Sequence, residues 1–376
     1  MIVKRGGFYI VLAGCLVVLT MRPLFAAPDV RHVVVQKETG RFAGWPANNG
    51  IWGWDKEVVV GFVEGTFQKK LFGHAINDCK PAVPRFARSL DGGETWLLEV
   101  PAFADAEGIE PEPLDCTQPI DFSHPDFAIT LRMVSGQDGF SRFYYSYDRC
   151  KSWAGPFRLP DYGREFIAAR TDYLVQGPHE LTAFITGAKD NGKEGRPFVI
   201  KTTDGGLTWD FISWITPEPS GFKIMPATIS LGGNSMLTAI RCKDDMALLR
   251  CQEYNSGWLE IYRSDDGGYS WNYLNEAASD MGGNPAAMLR LKSGAIALIY
   301  GYRETPYGIR ARISHDQGLT WGEEIVLRDD GGCWDLGYPR AVEREDGVVV
   351  IAYYFNDARF EERYIAATLW KPGDLD

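Results

Sequence analysis

Two arginines, a tyrosine and a few carboxylates are the residues of this chain whose types and positions suggest chemistry. Arg241 and Arg303 each end an apolar run, Leu237–Ile240 and Ile296–Tyr302. One arginine at a strand end is unremarkable. Two at equivalent places suggest an anion clamp, because guanidinium forks grip a carboxylate through two parallel hydrogen bonds, as lysine cannot. Ion pairing within the sheets is the alternative. Five further residues, Trp45, His124, Met225, Asn284 and Tyr338, precede a proline that opens an apolar segment, and proline is tolerated at the first residue of a strand. If these segments are equivalent strands around an axis, the five side chains converge on it. Glu64, Arg241, Arg303 and Tyr353 or Tyr354 then form a second ring at the ends of the next strands, and Arg170 lies on the inner strand of the third unit. Trp45, Asn284 and His124 are thus candidate ligand contacts beside the arginines. Three tryptophans within Trp45–Trp54 offer sugar-stacking surfaces or, alternatively, core packing.

The elements that must position these residues announce themselves as a repeat. The pattern Ser/Thr-x-Asp-x-Gly-x-Thr/Ser-Trp occurs at Ser89–Trp96, Ser146–Trp153, Thr202–Trp209, Ser264–Trp271 and Ser314–Trp321. A period of roughly 50–60 residues marks one supersecondary unit, and several such units make a propeller, a solenoid or an array. Each copy reads as a hairpin turn. Its Asp binds nearby backbone, its Gly supplies a positive φ, and its Trp covers the turn. A device present in every unit is structural, so Asp91, Asp148, Asp204, Asp266 and Asp316 are not expected to be catalytic. Cys150 stands where the second copy needs Gly, which predicts a distorted turn there.

This pattern is the Asp-box, and through it the chain resembles the sialidase superfamily of β-propellers. The resemblance implies an all-β, six-bladed propeller with rough blade limits 38–118, 119–162, 163–218, 219–280, 281–332 and 333–370. His32–Val35 would join the last blade and close the ring, which removes open sheet edges. It also implies three arginines on a sugar carboxylate. Arg241 and Arg303 match the second and third, and Arg41 in Arg41–Pro46 is the candidate first, with Arg170 in reserve. Tyr338, within Asp335–Pro339, matches the family's nucleophile. Such a tyrosine avoids repulsion from the substrate carboxylate, and it needs a base because its pKa is near 10. The family places a Glu before its second Arg, but here Met225-Pro226-Ala227 fills that place. Asp335 is the candidate substitute. Glu64, Asp55 and Asp78 are candidates for the acid/base, with Glu64 preferred by its strand-end position.

The remaining signals bound the class. A net charge of −11 argues against nucleic-acid or anionic-membrane partners, though a local arginine cluster can still serve an acidic glycan. Residues 1–27 read as a secretory signal, with Lys4 and Arg5 before an apolar run too short for a confident membrane span and Ala26-Ala27 at its end. A lipoprotein reading at Cys15 is the weaker alternative. Residues 28–376 are then one exported propeller domain, expected to be monomeric. Of the cysteines, Cys242 and Cys251 are the best candidate disulfide. No C-x-x-C, metal, phosphate-loop or Ser-nucleophile motif is found, so no cofactor is expected. Calcium is possible in propellers, but no ligand loop here argues for it. Arg310 lies on a rim loop that could reach a ligand.

Three functions compete. The first is an exo-acting hydrolase of an acidic sugar, with Tyr338 at the reacting carbon. The second is a lyase on uronate glycans, in which His124 with Tyr338 or Tyr173 supplies base and acid. The third is a non-catalytic glycan-binding propeller. Two axial carboxylates near Tyr338 would favour hydrolysis, whereas none would favour binding or elimination.

Overall fold

The computed structural model describes residues 28–373, except 72, 104–107, 135–140, 244–256 and 280–281. Six antiparallel sheets follow one another along the chain as the blades of a propeller. The fourth blade shows the plan: Phe222–Gly232, Ser235–Lys243, Gly257–Ser264 and Asn272–Ala278 pair in sequence order from the innermost strand outward. Each inner strand starts on the face that carries the candidate site, the second strand returns to that face, and the third descends to an Asp-box on the opposite face. Ring closure is as expected. Asp29–Gln36 pairs with Phe360–Lys371 as the outermost strand of the last blade, with Val30 opposite Trp370 and Val33 opposite Ala367.

The blades are held apart by apolar side chains of alternating register, for strands buried on both faces. Ala297 and Ile299 of the fifth blade pack with Val349, Ile351 and Tyr353 of the sixth, all fully buried. Burial of one such aliphatic side chain contributes about 1.5–3 kcal/mol, so this layer fixes the angle between neighbouring blades.

The second blade departs from expectation. Among the described residues it has three strands, Ala128–Arg132, Arg142–Ser146 and Ala154–Arg158. Ala128–Arg132 occupies the second-strand position, so His124-Pro125 does not open an inner strand. The vacant inner edge is met instead by a helical turn of the first blade, Pro46–Asn49, and by Thr171. Asn49 O accepts from Thr130 Oγ1 (3.2 Å), Thr171 Oγ1 accepts from Leu131 N (3.1 Å), and Arg132 Nη1 donates to Asn49 Oδ1 (3.0 Å). His124 consequently lies in a turn on the Asp-box face. Its ring packs on Tyr147 at 4.7 Å, and its Nδ1 accepts from Asp126 N.

The Asp-boxes share one bonding scheme. In the third, Asp204 Oδ1 accepts from Thr202 Oγ1 (2.8 Å) and Thr208 N (3.0 Å), Oδ2 accepts from Thr208 Oγ1 (2.6 Å), and Gly206 N donates to Thr202 Oγ1 (2.8 Å). The Asp therefore reaches four residues ahead, further than the one or two that a simple turn suggests. The turn at Cys150 is not distorted. Arg149 and Cys150 adopt φ 59° and 67°, the region that Gly205 and Gly206 occupy, and Cys150 N keeps its bond to Ser146 Oγ at 3.0 Å. Bonding to the charged form holds all five Asp carboxyls below their ordinary value. The hydroxyls of Ser270 and Thr320 are the largest cause at Asp266 and Asp316. At Asp91, Asp148 and Asp204 a desolvation cost that raises the pKa is outweighed by the same kind of hydroxyl and amide donors.

Two outcomes follow. Asp204→Ala should lower unfolding stability by about 1–3 kcal/mol in a denaturant titration, while binding on the far face is kept. Because the folded-state pKa values are depressed, this stabilisation is complete above the unfolded Asp value near 3.8 and is lost as pH falls through the folded values. Replacing several box aspartates should therefore flatten the acid limb of a stability-versus-pH curve.

Candidate active site

Three of the five pre-proline residues do meet. Trp45, Met225 and Tyr338 have φ of 63°, 55° and 51°, and they share one apolar cluster with Phe42, Ile224 and Tyr354. Proline disfavours right-handed helical backbone in the residue before it, and a left-handed non-Gly residue costs of order 1–3 kcal/mol. The strain turns each side chain out of its strand register toward the same point. Met225, where the resembled family has a carboxylate, presents only its thioether, 3.7 Å from Arg241 Nη1.

Tyr338 is the centre of the arrangement. Arg241 Nη1 donates to its hydroxyl at 2.9 Å, and the guanidinium carbons of Arg241 and Arg303 lie 5.6 and 5.4 Å from its ring centre. Burial alone would push the Tyr338 hydroxyl up, but Arg241, Arg303 and Arg170 outweigh it and bring the group below the usual tyrosine value. Its backbone is held by Asn284, whose Oδ1 accepts from Tyr338 N (2.8 Å) and whose Nδ2 donates to Leu336 O (2.8 Å). Asn284 is fully buried, so it positions Tyr338 and is not a ligand contact. Gly337 makes this possible: φ is 104°, and a Cβ there would come within 2.4 Å of Asn284 Nδ2.

The expected arginines divide into two kinds. Arg41 is paired to Glu64 (3.2 Å), and Arg170 to Glu194 (2.6 Å) and Asn48. Arg310 is spent on Arg328 O, Pro306 O and Glu324, so it does not reach outward. Arg241 and Arg303, by contrast, have no carboxylate partner among the described residues. Arg303 donates to Leu336 O (3.1 Å) and to Tyr354 Oη (2.8 Å). Among the described residues Arg241 has only the Tyr338 hydroxyl and the Met225 sulfur, and its Nε has no partner. Burial lowers the Arg241 pKa, and it lowers that of Lys243 nearby, with Arg241 and Arg303 adding repulsion. A chain of net charge −11 thus sets the buried Arg303 and the half-buried Arg241 against one tyrosine.

The carboxylate candidates are placed as follows. Glu64 is buried and committed to Arg85 (3.0 Å), Arg41 and Gln36. Asp55 sits in the first-blade hairpin turn on the Asp-box face, and Asp78 is an exposed partner of Lys70. Asp335 is near Tyr338 but fully buried. It accepts from His74 Nδ1 (2.6 Å), Tyr354 Oη (2.7 Å), Ala75 N (2.9 Å) and Arg363 Nε (3.0 Å). Burial opposes its ionisation, yet His74, Arg363 and Arg303 hold it far below the carboxylate range. With four donors on two oxygens it cannot take a proton from Tyr338.

His74 is the site residue that sequence reasoning missed. It lies on the loop after Glu57–Thr66, with Trp45, Tyr338 and Trp334 at ring distances of 5.2, 5.9 and 6.1 Å. Its side chain is 29% exposed. Of the tryptophan trio only Trp45 belongs here. Trp52 is core, against Phe86 and Trp153, and Trp54 donates to Pro125 O near the opposite face. Tyr354, rather than Tyr353, is the sixth-blade contributor, since Tyr353 bonds Thr368. Beside Trp45 a cleft of about 650 Å³ opens between the first two blades, lined by Asn48, Glu110, Arg132 and Arg142. Cys251 lies outside the described residues, as do Cys15 and residues 1–27. The other mature cysteines carry free thiols.

A family profile described as a BNR repeat-like domain matches residues 85–351, and the chain belongs to that family. No curated protein matches it. Among solved structures, a protein of unknown function from Dyadobacter fermentans is similar at 22% identity and a TM-score of 0.68, covering 92% of this chain and 99% of the other. A sialidase from Streptococcus pneumoniae is similar at 11% identity and 0.59, covering 91% and 70%. An α-L-arabinofuranosidase from Fusarium graminearum gives 11% and 0.60, covering 92% and 98%. At these identities the likeness is one of fold.

Gly337→Ala should displace Asn284 and release Tyr338 from its left-handed backbone. A thermal melt should show a loss of more than about 1 kcal/mol. An unchanged melt would contradict this account of the Leu336–Tyr338 segment.

Proposed function

We propose that this member of the BNR repeat-like domain family is an exported, exo-acting glycoside hydrolase for a sugar that carries a carboxylate, of sialic or uronic acid type. The observation that carries the reading is the pair Arg241 and Arg303: one half-buried and one buried guanidinium group, neither in a salt bridge with a carboxylate among the described residues, both set against one tyrosine. A substrate carboxylate would bring negative charge to both groups and accept the bond that Arg241 Nε leaves unmade among the described residues. Trp45 offers a ring face beside this pair. Arg170, whose charge is shared with Glu194, would act at longer range through the field it adds at Tyr338.

In this reading the Tyr338 oxygen attacks the anomeric carbon as the bond to the leaving oxygen breaks. A neutral hydroxyl approaches a carboxylate-bearing centre with less repulsion than Asp or Glu would meet, and the neighbouring arginines favour the charge that develops on its oxygen. A water oxygen then bonds to the anomeric carbon, the aryl glycosidic bond from that carbon to the Tyr338 oxygen breaks, and a water proton returns to Tyr338.

A second reading, elimination from a uronate, is favoured by one observation: both carboxylates proposed from the sequence near Tyr338 are engaged, Glu64 by Arg85, Arg41 and Gln36, and Asp335 by four donors. Tyr338 or His74 would then remove the carbon-bound proton while the arginines neutralise the carboxylate.

Product analysis decides between them. Chain 28–376 is incubated with sialylated and uronate-containing glycans beside Tyr338→Phe and Arg303→Ala. Hydrolysis releases a reducing acidic monosaccharide, and elimination gives an unsaturated, ultraviolet-absorbing product. Tyr338→Phe should lower kcat at least about 10³-fold. Arg303→Ala should raise KM for acidic substrates and leave neutral ones unaffected. Turnover of neutral sugars alone would overturn the acidic-substrate assignment.

A further inference from the structure

We propose that His74 is a catalytic residue whose Nε2 carries the proton between the Tyr338 hydroxyl and the glycosidic oxygen, with Asp335 and Tyr354 as its positioning residues. The inference rests on the hydrolytic reading above and supplies the proton-transfer group that reading lacks.

The assignment comes from hydrogen-bond accounting. Asp335 is ionised and can only accept, and its Oδ1 is 2.6 Å from His74 Nδ1. Nδ1 therefore carries the proton and donates, and the Nε2 lone pair remains. Among the described residues Nε2 has no partner. Asp335 also fixes the His74 backbone, because its Oδ2 accepts from Ala75 N. The loop is braced further by Gln68 N to Ala75 O (3.0 Å) and Asn77 N to Thr66 O (2.9 Å). Ring orientation is set by Trp45 edge-on from one side and Tyr338 from another, at interplanar angles of 76° and 85°. One buried carboxylate thus holds both the backbone and the tautomer of a half-buried imidazole whose other nitrogen is open. A histidine serving only as packing would not need so many fixed donors around its anion.

The charged and titratable groups facing His74 are Asp335, Tyr354, Tyr338, Arg241 and Arg303. Burial is the largest influence and lowers the His74 pKa, Asp335 raises it, and the two arginines lower it again, so the net shift is downward. The imidazole is neutral at neutral pH and able to accept a proton.

The step balances. As the Tyr338 oxygen bonds to the anomeric carbon, its proton passes to His74 Nε2, and the imidazolium is stabilised by Asp335. The bond from the anomeric carbon to the leaving oxygen breaks, and that oxygen takes the proton from Nε2. In the second half, a water oxygen bonds to the anomeric carbon, the carbon–Tyr338 bond breaks, and the water proton returns through Nε2 to the tyrosine oxygen. One water is consumed, and His74 and Tyr338 are restored.

The test uses His74→Ala, His74→Gln and Asp335→Asn of chain 28–376, assayed on 4-nitrophenyl glycosides of sialic acid and of glucuronic acid and on an oligosaccharide with an alkyl leaving oxygen. His74→Ala should lower kcat on the oligosaccharide by about 10²–10⁴-fold, and by much less on the nitrophenyl substrates, whose leaving oxygen needs little protonation. The kcat/KM profile of the parent chain should have an acid limb below pH 6.5, the ordinary histidine value, and that limb should vanish in both His74 variants. Added imidazole should restore part of the His74→Ala rate, which a misfolded protein would not allow. Asp335→Asn should lower kcat with KM little changed. Full activity of His74→Ala on the oligosaccharide with its acid limb intact, while Tyr338→Phe is inactive, would overturn the assignment of His74 alone. Full activity of Tyr338→Phe would overturn the hydrolytic reading, and this inference with it.

Discussion

The hydrogen bond from Arg241 to the Tyr338 hydroxyl is the contact on which the functional reading depends. It joins the end of a fourth-blade second strand to the start of the sixth-blade inner strand, and so it reports how accurately the ring is assembled. It is also the one strong hydrogen bond of the half-buried Arg241 among the described residues. Desolvating a cation is costly, and the left-handed backbone at Trp45, Met225 and Tyr338 adds strain. The interblade apolar layers offset these costs. The expense is concentrated on the face opposite the Asp-boxes, at the point where four side chains from three blades meet.

The two faces follow different physical rules. On the Asp-box face, polar groups are satisfied locally: a Ser or Thr, an Asp and two amides close a small ring of bonds that is repeated from blade to blade. On the other face, satisfaction is long-range and incomplete. Asn284 reaches across to the Leu336–Tyr338 segment, Asp335 gathers donors from His74, Ala75, Tyr354 and Arg363, and Arg241 is left wanting an acceptor. Local closure makes a stable turn in any sequence context. Incomplete closure makes a site, because only there does an incoming anion improve the balance.

Much of the fold was legible in the sequence, since the Asp-box spacing marks the blade repeat, the resemblance it carries implies six blades, and the early apolar strand announces ring closure. Arg241 and Arg303 were legible because they occupy equivalent places in a repeat, and Tyr338 because it precedes a proline that opens an apolar segment. What failed were inferences that required partners distant in sequence. Nothing near Arg170 or Arg41 says that Glu194 and Glu64 neutralise them, and nothing near Asp335 says that four donors converge on it. His124 was misplaced because the second blade lacks an inner strand, so its proline marks a turn on the other face. His74 was missed because it lies in a loop with no counterpart in the other blades, where periodicity is silent. The grouping of His74 with two tryptophans could have been suspected only after Trp334 and Trp45 were known to be its neighbours.

The most direct test of this account is a tyrosinate difference-absorbance titration of chain 28–376 beside Tyr338→Phe. If Arg241 and Arg303 act on Tyr338 as described, one tyrosine ionises below the ordinary value of about 10, its transition is absent from Tyr338→Phe, and an acidic sugar bound to the arginines shifts it upward. If no tyrosine ionises early, or the early transition survives in Tyr338→Phe, the two arginines do not form the charged centre that the proposed chemistry requires.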